Sequence, residues 1–131
     1  MGQPAARQGD AVIGIDLHLV NVPGTPPTAS LPHPFSGTIT SDTVASVTIG
    51  GAAAATVGSV ATNDPEHIPT PPGTSFVKTP SNRGTVSQGS TTVTIDGQGA
   101  ARMGDPVKTC NDPTDADTSA ITAGETTVTI G

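Results

Sequence analysis

Aromatic side chains are almost missing from this chain. Its 131 residues include no Trp, no Tyr and only two Phe, Phe35 and Phe76. Aromatic residues usually carry much of a core's buried area. Any core here must therefore use Val, Ile, Leu and Ala, with its elements close together. Positive charge is nearly as scarce: five Lys and Arg stand against eleven Asp and Glu, for a formal charge of −6. With no basic stripe, nucleic acid is excluded as a partner. The single cysteine, Cys110, rules out an internal disulfide. The first residues lack the basic-then-apolar pattern of a secretory leader. No apolar run is long enough to cross a bilayer as a helix. A chain of this length buries a modest share of its surface, so it needs a staple other than a disulfide.

What the chain has is repetition. "GQPAARQGD" at Gly2 to Asp10 returns as "GQGAARMGD" at Gly97 to Asp105. "VTIGG" at Val47, "VTIDG" at Val93 and "VTIG" at Val128 form a second family of strings. Each follows another β-like piece: "GTITSDTVAS" from Gly37, "GTVSQGSTT" from Gly84 and "SAITAGETT" from Ser119. Alternating Val, Ile and Thr bounded by Gly, Ser, Asp and Asn predict short strands joined by tight turns. The unit is a β-hairpin, present three times.

The tails repeat too. "AAAATVGS" after the first hairpin aligns Ala54, Ala55, Gly58 and Ser59 with Ala100, Ala101, Gly104 and Asp105. The third hairpin ends at Gly131, and its missing tail is "QPAARQGD" at the other end of the chain. A repeat cut by the termini implies a closed, pseudo-threefold all-β fold with adjacent termini and with its insertions in Pro- and Gly-rich loops. Gly9, Gly58 and Gly104 suit turns with positive φ. The pairs Arg7–Asp10 and Arg102–Asp105 read first as local bonds that fix those turns, and second as contacts for a partner.

All three histidines and the only cysteine fall at related places in this frame. His18 lies eight residues past Asp10, His67 eight past Ser59, and Cys110 five past Asp105. His33 follows in the longest loop, between Pro32 and Pro34. Structural zinc takes four N or S ligands. Proline-stiffened loops lower the entropy lost in closing such a site. His18, His33, His67 and Cys110 are thus the candidate ligands of one structural Zn²⁺, with the thiolate selecting against harder ions. Each residue alone has an ordinary reading as a solvated His or a small buried Cys. His18, in "DLHLV", also fits a strand with its ring facing solvent.

"PAAR" at Pro4 to Arg7, "GAAR" at Gly99 to Arg102, the "GD" pairs and the VTI-G hairpins resemble the PAAR-repeat proteins. "AAAATVGS" departs from that pattern by lacking Arg and Asp. The resemblance implies a short cone with a pointed tip, occupying residues 1–131 as one domain without an extension. It implies a non-enzymatic, structural role: capping the trimeric, valine-glycine-repeat (VgrG-like) spike of a contractile injection system such as type VI secretion. It also implies zinc near the tip, a wide base seated as one copy on the homotrimer, companion effector proteins and transient membrane contact. Such a protein is cytoplasmic during assembly and is then ejected without a signal peptide. Two other readings remain open. One is a zinc hydrolase with Glu66 as base, which needs an open position for water. The other is a free-standing β adhesin or fibre tip.

Overall fold

The computed structural model describes residues 2–24 and 26–131. Among these there are thirteen β-strands and no helix. Three small antiparallel hairpins form one end of the molecule. β4 (Val44–Ile49) pairs with β5 (Ala52–Ala54), and β9 (Thr94–Ile95) with β10 (Gln98–Gly99). The third is made across the termini: β13 (Glu125–Ile130) pairs with β1 (Gln3–Ala5), with Gln3 opposite Ile130. The split repeat read from the sequence is therefore real, and the ends of the chain lie side by side.

The three tails meet on the pseudo-axis in a closed cycle of backbone hydrogen bonds. Ala6 N–H donates to Ala101 O at 3.0 Å, Ala101 N–H to Ala55 O at 3.0 Å, and Ala55 N–H to Ala6 O at 3.1 Å. A larger side chain at any of these positions would push the strands apart, since Ala5, Ala6, Ala54, Ala55, Ala100 and Ala101 are all fully or almost fully buried. Each tail then turns on a glycine in the left-handed region, Gly9, Gly58 and Gly104, at φ of 94°, 95° and 95°. A Cβ there would be strained.

The turn is closed the same way three times. Asp10 Oδ2 accepts Arg7 N–H at 2.7 Å, and Asp105 Oδ2 accepts Arg102 N–H at 2.8 Å. Ser59 Oγ accepts Thr56 N–H at 2.9 Å. The middle copy, which lacks Arg and Asp, thus keeps the oxygen and loses only the charge. The guanidinium groups add ion pairs, Arg7–Asp10 at 3.2 Å and Arg102–Asp105 at 2.8 Å, as the local reading of those residues expected.

Beyond the turns, six antiparallel strands close into a small barrel. Its order is β2 (Ala11–Asn21), β3 (Thr28–Ser41), β6 (Val60–Asn63), β8 (Arg83–Val86), β11 (Pro106–Thr109) and β12 (Ala116–Ile121), and β12 returns to β2. Its core consists of symmetry-related layers: Ala6, Ala55 and Ala101, then Ile39, Val86 and Ile121, then Val12, Ala61 and Val107. A second cluster of Ile49, Ile130 and Ile95 with Ala5, Ala54 and Ala100 fills the hairpin end. Aliphatic residues suffice because every layer is one side chain per repeat. Phe35 is the one core member without a threefold mate. It marks where the symmetry stops and the candidate site begins.

One expectation changes here. The segment holding His33 is mostly strand, not loop. β2 and β3 form a long hairpin with an unbroken register from Ala11↔Thr38 to Asn21↔Thr28. β6 and β11 have four residues each, so this hairpin runs well past its counterparts. Its end is edged by β7 (Ser75–Phe76), through Val20↔Phe76. Pro32 and Pro34 are tolerated because β6 reaches only Gly37 on that side of β3. Without a ladder partner there, a missing N–H costs nothing. The arrangement, hairpins at one end and a single long hairpin wrapped by loops at the other, is compatible with the expected cone.

Candidate metal centre

Period-two alternation places the site. On β2 the residues facing inward are Val12, Asp16, His18 and Val20, while Ile13, Ile15, Leu17 and Leu19 face outward. The pattern is inverted relative to an ordinary half-buried strand, with apolar side chains outside and a carboxylate and an imidazole inside. On β3 the inward positions are His33 and Phe35. His18 therefore faces the interior, and its solvent-facing reading does not hold.

Two loops bring the remaining residues, and each uses the same device. In Asn63-Asp64-Pro65, Asn63 Oδ1 accepts Ser36 N–H at 2.8 Å and Asp64 N–H donates to Ser36 O at 3.1 Å. In Asn111-Asp112-Pro113, Asn111 Oδ1 accepts Leu17 N–H at 2.6 Å and Asp112 N–H donates to Leu17 O at 2.8 Å. Both X–Pro bonds are cis. The first clamp delivers His67, whose N–H donates to Asn82 Oδ1 at 2.7 Å. The second lies just past Cys110, whose N–H donates to Arg83 O at 3.1 Å.

The four candidates converge. His18, His33 and Cys110 are buried, and the side chain of His67 is 2 % exposed. Ring centroids lie 5.3 Å apart for His18–His33, 5.1 Å for His18–His67 and 5.6 Å for His33–His67. Both phenylalanines join them: Phe76 lies 5.8 Å from His18 and 5.3 Å from His33, and Phe35 lies 6.3 Å from His67. The two phenylalanine rings thus pack against the histidine group.

The donor atoms sort differently from the rings. The atoms that gather within 4.8 Å of one another belong to Asp16, His18, His67 and Cys110. Asp16, which sequence reasoning missed, is fully buried. It accepts from His67 Nε2 at 2.9 Å and from Cys110 Sγ at 3.4 Å. His33 adjoins this group with both ring nitrogens engaged. Nδ1 donates to Leu31 O at 2.8 Å, and Nε2 accepts Thr70 N–H at 3.1 Å. Neither ring nitrogen of His18 has a hydrogen-bond partner, and Asp112 Oδ2 stands 3.5 Å from its Nδ1.

The electrostatics follow from burial. Desolvation holds His18 and His33 below the ordinary imidazole value, and for His18 the neighbouring His67 adds to this. Desolvation and the Asp16 charge push the Cys110 thiol up to about 11. Asp16 is also pushed up by desolvation, but donors from His67, Thr109, Thr118 and Cys110 outweigh this and hold it below its usual value. Three imidazoles, a buried carboxylate and a thiol, with no Lys or Arg paired to any of them, form a donor set that fits a zinc-type ion. The orphaned His18 nitrogens are the sharpest sign, because a buried polar atom without a partner is costly.

The fold and the cluster define a class: a small, closed, pseudo-threefold β protein with a metal-type donor group at the end away from its hairpins. The family model described as PAAR motif matches residues 78–131, and over that segment the chain is similar to the PAAR-repeat proteins. The matched segment contains the GAAR–GD tail, the hairpin of β9 and β10, and Cys110. The histidines lie outside it. No curated protein and no solved structure gives a match.

Proposed function

We propose that this protein is the tip of a contractile injection spike: its hairpin end caps a trimeric VgrG-like protein, and its other end is stapled by one structural zinc ion. The observation that carries this reading is the cyclic hydrogen bonding of the three tails around Ala6, Ala55 and Ala101. It gives a single chain a threefold end, which a homotrimer can accept as one copy. At the opposite end symmetry is lost and the apolar layers run out at Phe35. A metal ion there replaces a core. Structural zinc contributes roughly 10–16 kcal/mol, against roughly 5–15 kcal/mol for the stability of a whole domain.

His18, His67 and Cys110, with His33 and Asp16 beside them, would hold the ion. When bound, it would cross-link β2, the loop after β6 and the end of β11. The chain's own residues exclude water through Phe35 and Phe76 and fix the donors through the two Asn-Asp-Pro clamps. Glu66, the base of a hydrolase reading, is exposed and faces Asn82 Nδ2 at 3.4 Å rather than the donor group. Companion effectors, transient membrane contact and ejection from the cytoplasm follow from the same role. The test is co-purification with a trimeric VgrG-like spike at one chain per trimer, together with about one zinc per chain. A free-standing adhesin would bind no spike.

A further inference from the structure

We propose that the metal centre has an acidic port: a zinc-type ion reaches the donor group through the cleft between residues 78–81 and 110–115, passes Asp115 and Asp112, and meets His18 first. This rests on the metal half of the functional reading, leaves the donor set as it stands and is independent of the spike.

The donor group separates two clefts, and each touches two of the four side chains read from the sequence. One cleft, of about 340 Å³, is walled by His33 and His67. The other, of about 240 Å³, is walled by His18 and Cys110. Their remaining walls differ. Four prolines and Ile68 line the first, with Glu66 as its one acid. Asp112 and Asp115 line the second, with Lys78 as its one base.

Charge draws a dication to the second cleft, because an acidic cleft with protein walls focuses its field and concentrates cations at its mouth. Asp115 is exposed, and Asp112 lies deeper with its side chain 5 % exposed. Asp112 Oδ2 accepts Leu19 N–H at 2.9 Å and stands 3.5 Å from His18 Nδ1. Among the described residues, the ion pairs of Lys and Arg involve neither carboxylate. The two acids thus lead from solvent to the His18 ring.

The state of the donors favours the same route. From the first cleft an ion meets His33, whose ring nitrogens are bonded to Leu31 O and Thr70 N–H, and His67, whose Nε2 is bonded to Asp16. From the second it meets His18, buried with both ring nitrogens unpartnered. A buried nitrogen without a partner takes an ion with no hydrogen bond to give up first, and the ion removes the cost of leaving that nitrogen unpaired.

The rate of metal movement tests the port, because charges at its mouth change how fast an ion passes and not what holds it. Stopped-flow uptake of Co²⁺ by the chelator-treated full chain is read by the thiolate-to-metal absorption at Cys110. Asp115→Lys is expected to slow uptake about tenfold at low ionic strength, with the difference shrinking at 1 M salt, where screening acts within about 3 Å. Lys78→Gln should quicken uptake, and Glu66→Gln, on the other cleft, should leave it unchanged. The zinc-loaded chain supplies a second arm that needs no metal-free protein. Entry and exit share one path, so Asp115→Lys should slow release to excess chelator by the same factor and leave the affinity unaltered. Parental rates of uptake and release in Asp115→Lys would overturn the port while leaving the metal centre intact. Slowing by Glu66→Gln in its place would move entry to the proline-lined cleft and also overturn it. Failure of the unmodified chain to take up either ion would overturn both the port and the metal half of the functional reading.

Discussion

At the scale of single residues, the three turn caps show how little chemistry the repeat needs to conserve. Asp10, Ser59 and Asp105 do one job, accepting the N–H three residues back. Ser59→Ala leaves a buried Thr56 N–H without a partner, which costs about 1–3 kcal/mol. Arg102→Ala keeps the backbone bond and removes a part-exposed ion pair, for less than about 1 kcal/mol. Urea midpoints should therefore rank Ser59→Ala well below Arg102→Ala. A reversed order would mean that the guanidinium, not the cap, holds the turn.

The buried donors make a pH prediction for the metal-free chain. His18 and His33 have folded values below the ordinary 6.5. The unfolded chain therefore binds more protons as pH falls through 6.5, and stability drops. Asp16, lowered from 3.8, adds a further loss below that value. Cys110 acts at the other side. Its folded value of about 11 against 9.0 means that its contribution, about 2–3 kcal/mol by the usual conversion, is intact below pH 9 and disappears as pH rises toward 11. Denaturant titrations of chelator-treated protein should show both flanks. A flat profile from pH 9 to 11 would mean that Cys110 is not buried as the thiol.

At the scale of elements, the sequence exposed the symmetric part of the fold and hid the rest. The hairpins and tails were legible because each residue has two counterparts, so the phase of one copy checks the others. Even the cut repeat could be closed, and Gln3 lies opposite Ile130. The long hairpin has no counterpart. Its prolines suggested a loop, though both stand where β3 pairs with β2 on one side and has no ladder partner on the other. His18, His33, His67 and Cys110 were found by residue type together with their places in the repeat frame, and the structure brings all four side chains together. Asp16 was missed because it lies on a strand whose apolar residues point outward. Period two from His18 would have flagged it, as would the recurrence of Asn-Asp-Pro beside both loop donors. The closed ring implies that the termini can be joined and the chain reopened elsewhere. Opening at Asn63 is a poor choice, because Asn63 is buried and bonds Ser36 and Asn82. The turn Asp96–Gly97 is exposed and joins only β9 to β10. A permutant opened there should fold with nearly the parental melting temperature, and one opened at Asn63 should not. Equal melting temperatures for the two would show that the clamp contributes little.

At the scale of the whole molecule, the two ends are held by different means, and this separates their failures. The hairpin end has apolar layers and a closed ring of backbone bonds. The donor end has polar groups, long loops and, in this reading, one ion. Cys110→Ser and His67→Ala each remove a donor, so zinc should be lost. The segments that depend on it, 64–74 and 110–115, should exchange amide hydrogens first, since regions with few buried apolar contacts open most easily. The Ala6, Ala55 and Ala101 amides should stay protected. Spike affinity should persist with them, while delivery through a target membrane falls because the point yields under load. The decisive measurement is the order of these losses in one variant. Zinc loss accompanied by early exchange of the three alanine amides and loss of the spike would mean that the metal holds the whole fold, and the division of labour between base and tip would be wrong. Zinc loss with an unchanged tip and full delivery would mean that Asp16 and its hydrogen bonds close the point without the ion.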